Sequence, residues 1–101
     1  MGMDSSLLRI DGELTIYRAA ELAAAMKAAL AAVADGGVLE LDLSEVAELD
    51  SAGVQLLLAA RRSAVESGRT LRLTARSAAV DDVLAILQLA AHFGGPLAQA
   101  Q

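Results

Sequence analysis

The residues Asp50-Ser51-Ala52-Gly53 place a serine hydroxyl beside a carboxylate, just before the apolar run Val54–Leu58. Ser and Asp are favoured at helix starts because their oxygens accept hydrogen bonds from unpaired backbone amides. A phosphate at the same position would meet those amides and the positive end of the helix dipole. The segment therefore allows two interpretations. It is a helix cap alone, which is the simpler one, or a cap whose serine is also phosphorylated.

Other residue types that do chemistry are scarce or poorly spaced. There is no cysteine, and His92 is the single histidine, so thiolate zinc sites and disulfides are excluded. The acidic residues Glu45 and Glu48 near Asp50 match no calcium loop, and we interpret them as solvated. Ser51 and His92 lack the Gly-x-Ser-x-Gly elbow of a hydrolase, and no glycine-rich phosphate loop is present. We expect a protein that is not an enzyme and has no catalytic residue, metal or cofactor.

Charge and composition restrict the partners further. The net charge of −5 argues against nucleic acid and against anionic lipid surfaces. No apolar run approaches the roughly 20 residues that cross a bilayer, and the first residues do not resemble a secretion signal. We expect a cytoplasmic protein without membrane insertion. With 101 residues and 55% hydrophobic content, we expect one domain over residues 7–94, with flexible termini at 1–6 and 95–101.

The elements that must position the Asp50–Gly53 segment follow from hydrophobic periodicity. Apolar and polar residues alternate, as in strands with one buried face, over residues 8–11, 13–16, 39–43 and 70–74. Gly12 would form a tight turn between the first two. Helical spacing of apolar residues predicts helices over about 19–34, 52–67 and 79–92, with Ser77 capping the last.

The order β-β-α-β-α-β-α predicts parallel strands with right-handed crossovers after one hairpin. Parallel strands that are covered on both faces are usually continuously apolar, whereas these alternate. The predicted fold is therefore two-layer α/β: a four-stranded, mostly parallel mixed sheet with three helices on one face.

Three stretches together resemble the STAS domain family, the bacterial anti-sigma factor antagonists. LELDLSEVAELDSAGVQLLLAARRSA, from Leu39, resembles the central signature of that family. GELTIYRAAELAAAM, from Gly12, is similar to its early turn and first helix. GRTLRLTARSAAVDDVLAILQLAAHF, from Gly68, is similar to its last strand and helix. The resemblance covers almost the whole chain and implies the same two-layer architecture.

The resemblance also implies roles for single residues. The phosphorylated residue of the family is the Ser or Thr after the motif aspartate, which is Ser51 here. Asp50 matches the acidic neighbour, Gly53 the motif glycine, and Asp42 the aspartate that ends the preceding strand. In such proteins a serine kinase that is itself an anti-sigma factor phosphorylates the antagonist and releases it. A phosphatase reverses the switch.

We therefore expect a signal-transduction protein that acts by partner switching. Its expected partner-binding residues are Asp42, Glu48, Asp50, Ser51, Ala52, Gly53 and Tyr17, with Tyr17 either half-buried or an exposed anchor. Two alternatives stay open, because the sequence is also similar to a compact subfamily. The chain would then be a constitutive adaptor on the ATPase of a phospholipid ABC transporter, or an accessory protein of a chemotaxis-type kinase cluster. Neither alternative requires phosphorylation.

Overall fold

The computed structural model describes residues 5–87. Strands and helices alternate in the order β1 (Ser5–Leu14), α1 (Ala19–Ala31), β2 (Val38–Leu49), α2 (Ser51–Glu66), β3 (Thr70–Arg76) and α3 (Ala78–Ile86). The strands form one sheet in the order β1-β2-β3, and both neighbouring pairs are parallel. Within the described residues no helix is long and apolar enough to span a bilayer.

The predicted hairpin at Gly12, and with it the four-stranded mixed sheet, is wrong for residues 5–87. Gly12 has a φ of 79°, but the chain does not reverse there. One strand, β1, continues to Leu14 and pairs in parallel with β2 throughout. The sheet described here has three strands, and Ile16 lies beyond the end of β1 with 61% of its surface exposed.

The acidic stretch Ser44–Leu49, which lies between the predicted strand 39–43 and the predicted helix 52–67, is the second half of β2. It pairs with the second half of β1, in pairs such as Gly12 with Val46 and Leu14 with Leu49. Register shifts between Arg9 and Asp11 and between Gly12 and Glu13 leave extra residues on β2. These bulges explain why the strict alternation of apolar and polar residues stops after Leu43.

The core lies between one face of the sheet and the helices. Leu39, Leu41 and Leu43 of β2 are fully buried, as the alternation predicts. They belong to a single cluster that includes buried residues of every helix, such as Met26, Leu57 and Leu84, and of β1 and β3, such as Ile10, Leu14, Leu71 and Leu73. The helices therefore pack into one core on that side of the sheet.

The opposite face of the sheet carries charged side chains that pair across strands. Arg9 of β1 lies 3.5 Å from Asp42 of β2, and Arg72 of β3 lies 3.0 Å from Glu40 of β2. These pairs occupy the positions that alternate with the buried leucines. Exposed pairs of this kind contribute little to stability. The predicted layering, with apolar residues toward the helices and polar residues away, is thus present.

The helix ends follow local sequence signals. The side chain of Ser77 accepts the Val80 amide at 3.2 Å, which confirms it as the cap of α3. Val65, an apolar residue in the last turns of α2, is exposed. Helix α3 was predicted to reach residue 92, and its residues after 87, including His92, lie outside the described part. The same holds for the predicted flexible segment 95–101 and most of 1–6.

Candidate functional site

The start of α2 is organised by Asp50. Asp50 is the N-cap, with extended backbone angles, and its Oδ1 accepts the Gly53 amide at 2.9 Å. Its carbonyl oxygen accepts the Val54 amide at 3.0 Å, which is the first bond of the helix proper. The carboxylate therefore satisfies a backbone donor that the helix itself leaves without a partner.

The same carboxylate holds a second segment of the chain. Its Oδ2 accepts the amide of Ile16 at 3.1 Å, in the turn between β1 and α1. The hydrogen bonds from Gly53 and then Ile16 lower the pKa of Asp50 below its ordinary value. Asp50 is thus ionised at neutral pH and fixed between two loops that meet at the carboxyl ends of β1 and β2.

Gly53 is buried and allows α2 to start close to the end of β1. A β-carbon at this position would lie 2.0 Å from the carbonyl oxygen of Leu14 and 2.7 Å from the Leu49 side chain. A glycine at a helix start can also leave room for the close approach of a partner. In the structure that room is filled by the backbone of Leu14, so the requirement for glycine is internal.

Ser51 is the first residue of α2, and its side chain is exposed. Tyr17 and Ile16 stand beside this helix start because Asp50 binds the amide of Ile16. Both are large apolar residues in contact with water, with 88% and 61% of their surfaces exposed. Glu48 is exposed one residue before the end of β2. The structure therefore brings together Glu48, Asp50, Ser51, Ala52, Ile16 and Tyr17 over the buried Gly53, and we call this surface the α2 corner.

Asp42, the remaining predicted partner-binding residue, does not belong to the α2 corner. It lies on the charged outer face of the sheet, eight residues before Asp50 on a strand that rises roughly 3.3 Å per residue. Its Oδ1 accepts the Ser44 hydroxyl at 2.6 Å and the Ser44 amide at 3.0 Å. These bonds, followed by the charge of Arg9, lower the pKa of Asp42. Its contacts therefore order the bulged part of β2.

Arg18 holds the turn that carries Ile16 and Tyr17. Its guanidinium donates to the backbone oxygens of Asp11 and Glu13 on β1 and pairs with Glu21 at 3.2 Å. Thr15, just before, is buried, and its hydroxyl donates to Glu13 at 3.0 Å. These hydrogen bonds fix the turn to β1, so the exposed residues Ile16 and Tyr17 are held in place.

Sequence reasoning missed Ile16 as part of this surface, and it missed the buried Leu14 and the half-buried Arg18 as residues that support it. Leu14 and Ile16 were assigned together to the buried face of a strand. The signal that separates them is the run Thr15-Ile16-Tyr17-Arg18, in which two large apolar residues are flanked by residues that bond back to β1. Only the three-dimensional contact with Asp50 shows that this run borders the start of α2.

Comparisons with solved structures place this architecture among known ones. An anti-sigma factor antagonist from Mycobacterium paratuberculosis superposes with a TM-score of 0.75 at 26% sequence identity, covering 90% of this chain and 75% of that one. The anti-sigma factor antagonist SpoIIAA in its unphosphorylated form gives 0.67 at 23% identity, covering 95% and 84%. A sulfate transporter family protein from Wolinella succinogenes gives 0.71 at 19% identity, covering 91% and 73%. The last two show similarity of fold alone.

A comparison with curated protein sequences gives no match. A protein-family model described as "Mlab, STAS domain" matches residues 2–97, which is nearly the whole chain and includes every element of the α2 corner. The chain belongs to the STAS domain family.

Proposed function

We propose that this STAS domain is a non-enzymatic regulatory module that binds a protein partner through the α2 corner and is switched by phosphorylation of Ser51. The partner is a serine kinase of the anti-sigma factor type, and a phosphatase restores the binding form. The observation that carries the proposal is the exposed Ser51 side chain at the first position of α2, bordered by the exposed Ile16 and Tyr17.

The neighbouring hydrogen bonds support a switch at the surface. The carboxylate of Asp50 already binds the Gly53 amide, and the Val54 amide binds the Asp50 carbonyl. A phosphate on Ser51 would therefore not replace the cap, and it would project outward from the helix start. The helix dipole favours its charge of about −1.5 to −2, while Asp50 opposes it. These opposing effects leave the fold little changed and alter the charge that a partner meets.

A constitutive adaptor on a transporter ATPase is the second candidate. The feature that favours it is the pair Ile16 and Tyr17, because exposed apolar side chains bind a partner without any change of charge at Ser51. Both candidates use the same surface. They differ in whether a negative charge at position 51 abolishes binding.

Affinity capture from cells of the native host tests the choice, with the wild type, Ser51→Ala, Ser51→Asp and Ser63→Asp as baits. Ser63 is an exposed serine on the same helix, roughly 18 Å along its axis at 1.5 Å per residue. Ser63→Asp therefore adds the same charge away from the α2 corner. Captured proteins are identified by mass spectrometry, and the protein isolated from the host is mapped for phosphoserine.

The switch predicts that the wild type, Ser51→Ala and Ser63→Asp retain a serine kinase that Ser51→Asp loses at least about tenfold. It also predicts phosphate on Ser51 after incubation of the purified protein with that kinase and ATP. If all four baits retain one transporter ATPase equally, the adaptor function replaces the switch. Loss of the partner with both aspartate variants would show a general charge effect and would contradict the assignment of the α2 corner.

A further inference from the structure

Helices α1 and α2 are separated by an open groove of about 480 Å³ above the sheet. The facing positions are small, with Ala23 on α1 and Ala59 and Ala60 on α2, and this leaves the space between the helices unfilled. The half-buried Leu30 of α1 and Leu56 of α2 add apolar surface to its lining, and Leu39 and Leu71 of the sheet lie buried beneath it. We call this space the α1–α2 groove. Its volume and apolar lining are those of a small-molecule site.

The groove is polar at one end only. Along α2 it extends from Leu56 to Ser67, roughly 16 Å at 1.5 Å per residue. The hydroxyl residues Ser63 and Ser67 and the base Arg69 line the end at the carboxyl terminus of α2. This end lies opposite the α2 corner, because Ser51 begins the same helix. The groove is therefore a surface separate from the one proposed to bind the protein partner.

The charges of the groove differ from those of the whole protein. The chain carries 13 acidic and 8 basic residues, yet the charged residues that line the groove are Lys27 and Arg69. Arg69 is held by the carbonyl of Val33 at 2.8 Å and by Asp35 at 3.2 Å. Lys27, the one lysine of the sequence, forms no ion pair with any residue of the described range 5–87. Among residues 5–87, a cation without an ion-pair partner thus lines an apolar groove.

From these features we propose that the α1–α2 groove binds a single long-chain fatty acid, with the acyl chain between the helices and the carboxylate at Lys27. An unbranched acyl chain matches an apolar groove about 16 Å long, and its burial against the apolar lining supplies most of the affinity. The carboxylate accepts hydrogen bonds from the Lys27 ammonium and the Ser63 hydroxyl, whereas the Ser67 hydroxyl already donates to the carbonyls of Ser63 and Ala64. The groove thus combines an apolar lining with a lysine that forms no ion pair within residues 5–87. This combination is complementary to an amphipathic anion.

Titration calorimetry on the full chain tests this, with dodecanoate and hexadecanoate kept below the concentrations at which they form micelles. We expect saturable binding of one molecule per chain, and binding about threefold weaker for dodecanol, which lacks the carboxylate that pairs with the exposed Lys27. The variant Lys27→Glu should weaken the binding of dodecanoate at least about tenfold. Arg62→Glu makes the same charge change on the exposed side of α2, away from the groove, and should leave binding within about twofold.

Two further variants test the groove itself. Ala59→Phe and Ala23→Phe each place a ring over the space between the helices, and each should abolish binding while circular dichroism shows an unchanged helical spectrum. Ala23 is exposed, so its replacement does not disturb the core. Ser51→Asp should bind dodecanoate like the wild type, whatever its effect on the protein partner.

Three results would overturn the proposal: no saturable binding of either fatty acid, equal weakening by Lys27→Glu and Arg62→Glu, or unchanged binding in both phenylalanine variants.

Vesicles of phosphatidylglycerol distinguish a free fatty acid from the chains of a membrane lipid. We expect no retention of the protein on them, and retention without fatty-acid binding would contradict the site.

Discussion

The carboxylate of Asp50 joins the amide of Gly53 to that of Ile16, two residues on segments that are far apart in sequence. One acidic side chain therefore caps α2 and also fixes the turn after β1. This double role distinguishes Asp50 from an ordinary capping residue, which would be replaceable by serine. The α2 corner depends on it because Tyr17 follows Ile16 directly.

Substitution of Asp50 by serine separates the two roles. Serine is an equally good cap for the Gly53 amide, but its shorter side chain has one oxygen and does not bridge to Ile16. We expect hydrogen exchange of the Ile16 amide to accelerate at least about tenfold in Asp50→Ser, with Gly53 protected as in the wild type. In Asp50→Ala, both amides should exchange faster. Amide exchange measured by NMR checks this, and equal protection of Ile16 in all three proteins would contradict the bridge.

The stability of the protein should depend on the ionisation of Asp50 at acidic pH. Its folded pKa is lowered by the hydrogen bonds from Gly53 and Ile16, so folding favours the carboxylate form. The stability that this contributes is complete above the ordinary pKa of about 3.9 and is lost as the pH falls through the lower folded value.

Urea midpoints measured from pH 6 downward check this dependence. The wild type should lose stability more steeply than Asp50→Asn below about pH 4. Asp42→Asn should act in the same direction, because the pKa of Asp42 is also lowered, chiefly by Ser44. Each variant should remove only part of the slope, and a slope unchanged in Asp50→Asn would refute the assignment.

Replacement of Gly53 by alanine should be strongly destabilising. The added β-carbon would lie 2.0 Å from the Leu14 carbonyl, so α2 must move away from β1. We expect a loss of about 3 kcal/mol, at the upper end of overpacking effects. Gly68→Ala is the control, since its β-carbon meets nothing within 4 Å and only its φ of +77° opposes the change. Gly68→Ala should lower the free energy of unfolding by about 1 kcal/mol. Equal losses for Gly53→Ala and Gly68→Ala in urea denaturation would exclude the steric explanation.

Loss of the Arg18 side chain should expose the edge of β1. Its guanidinium donates hydrogen bonds to the backbone carbonyls of Asp11 and Glu13. These residues belong to β1, which is an edge strand of the described sheet. An edge with unpaired carbonyls is a template for pairing with another chain. We expect Arg18→Gln to lower stability by about 1 kcal/mol and to increase self-association in analytical ultracentrifugation, relative to the exposed control Arg62→Gln. A monomeric, equally stable Arg18→Gln protein would contradict this role.

The sequence predicted the inner layer well, because burial on one face imposes a period of two that is readable at Leu39, Leu41 and Leu43. It predicted the α2 start and the Ser77 cap because capping is a local signal. The hairpin at Gly12 was wrong for a physical reason. A glycine with positive φ suits a turn or a bulge equally, and only the available partner strand decides between them.

The α2 corner was predicted in part. Asp50 and Ser51 are visible as a helix start, whereas the contribution of Ile16 depends on a hydrogen bond to a distant residue. The separation of Asp42 from the corner depends on the length of β2, whose bulges break the alternation by which strands are recognised in sequence.

The central position of β2 has a consequence for how the protein folds. Leu41 pairs with Leu8 on one side and with Leu73 on the other, each roughly 30 residues away, so both pairings require slow closure of a long chain segment. The β1-α1-β2 unit precedes β3 in the chain, and the bridge from Asp50 to Ile16 lies next to it. The first pairing and that bridge therefore require no residue of β3 and can form before β2 pairs with β3.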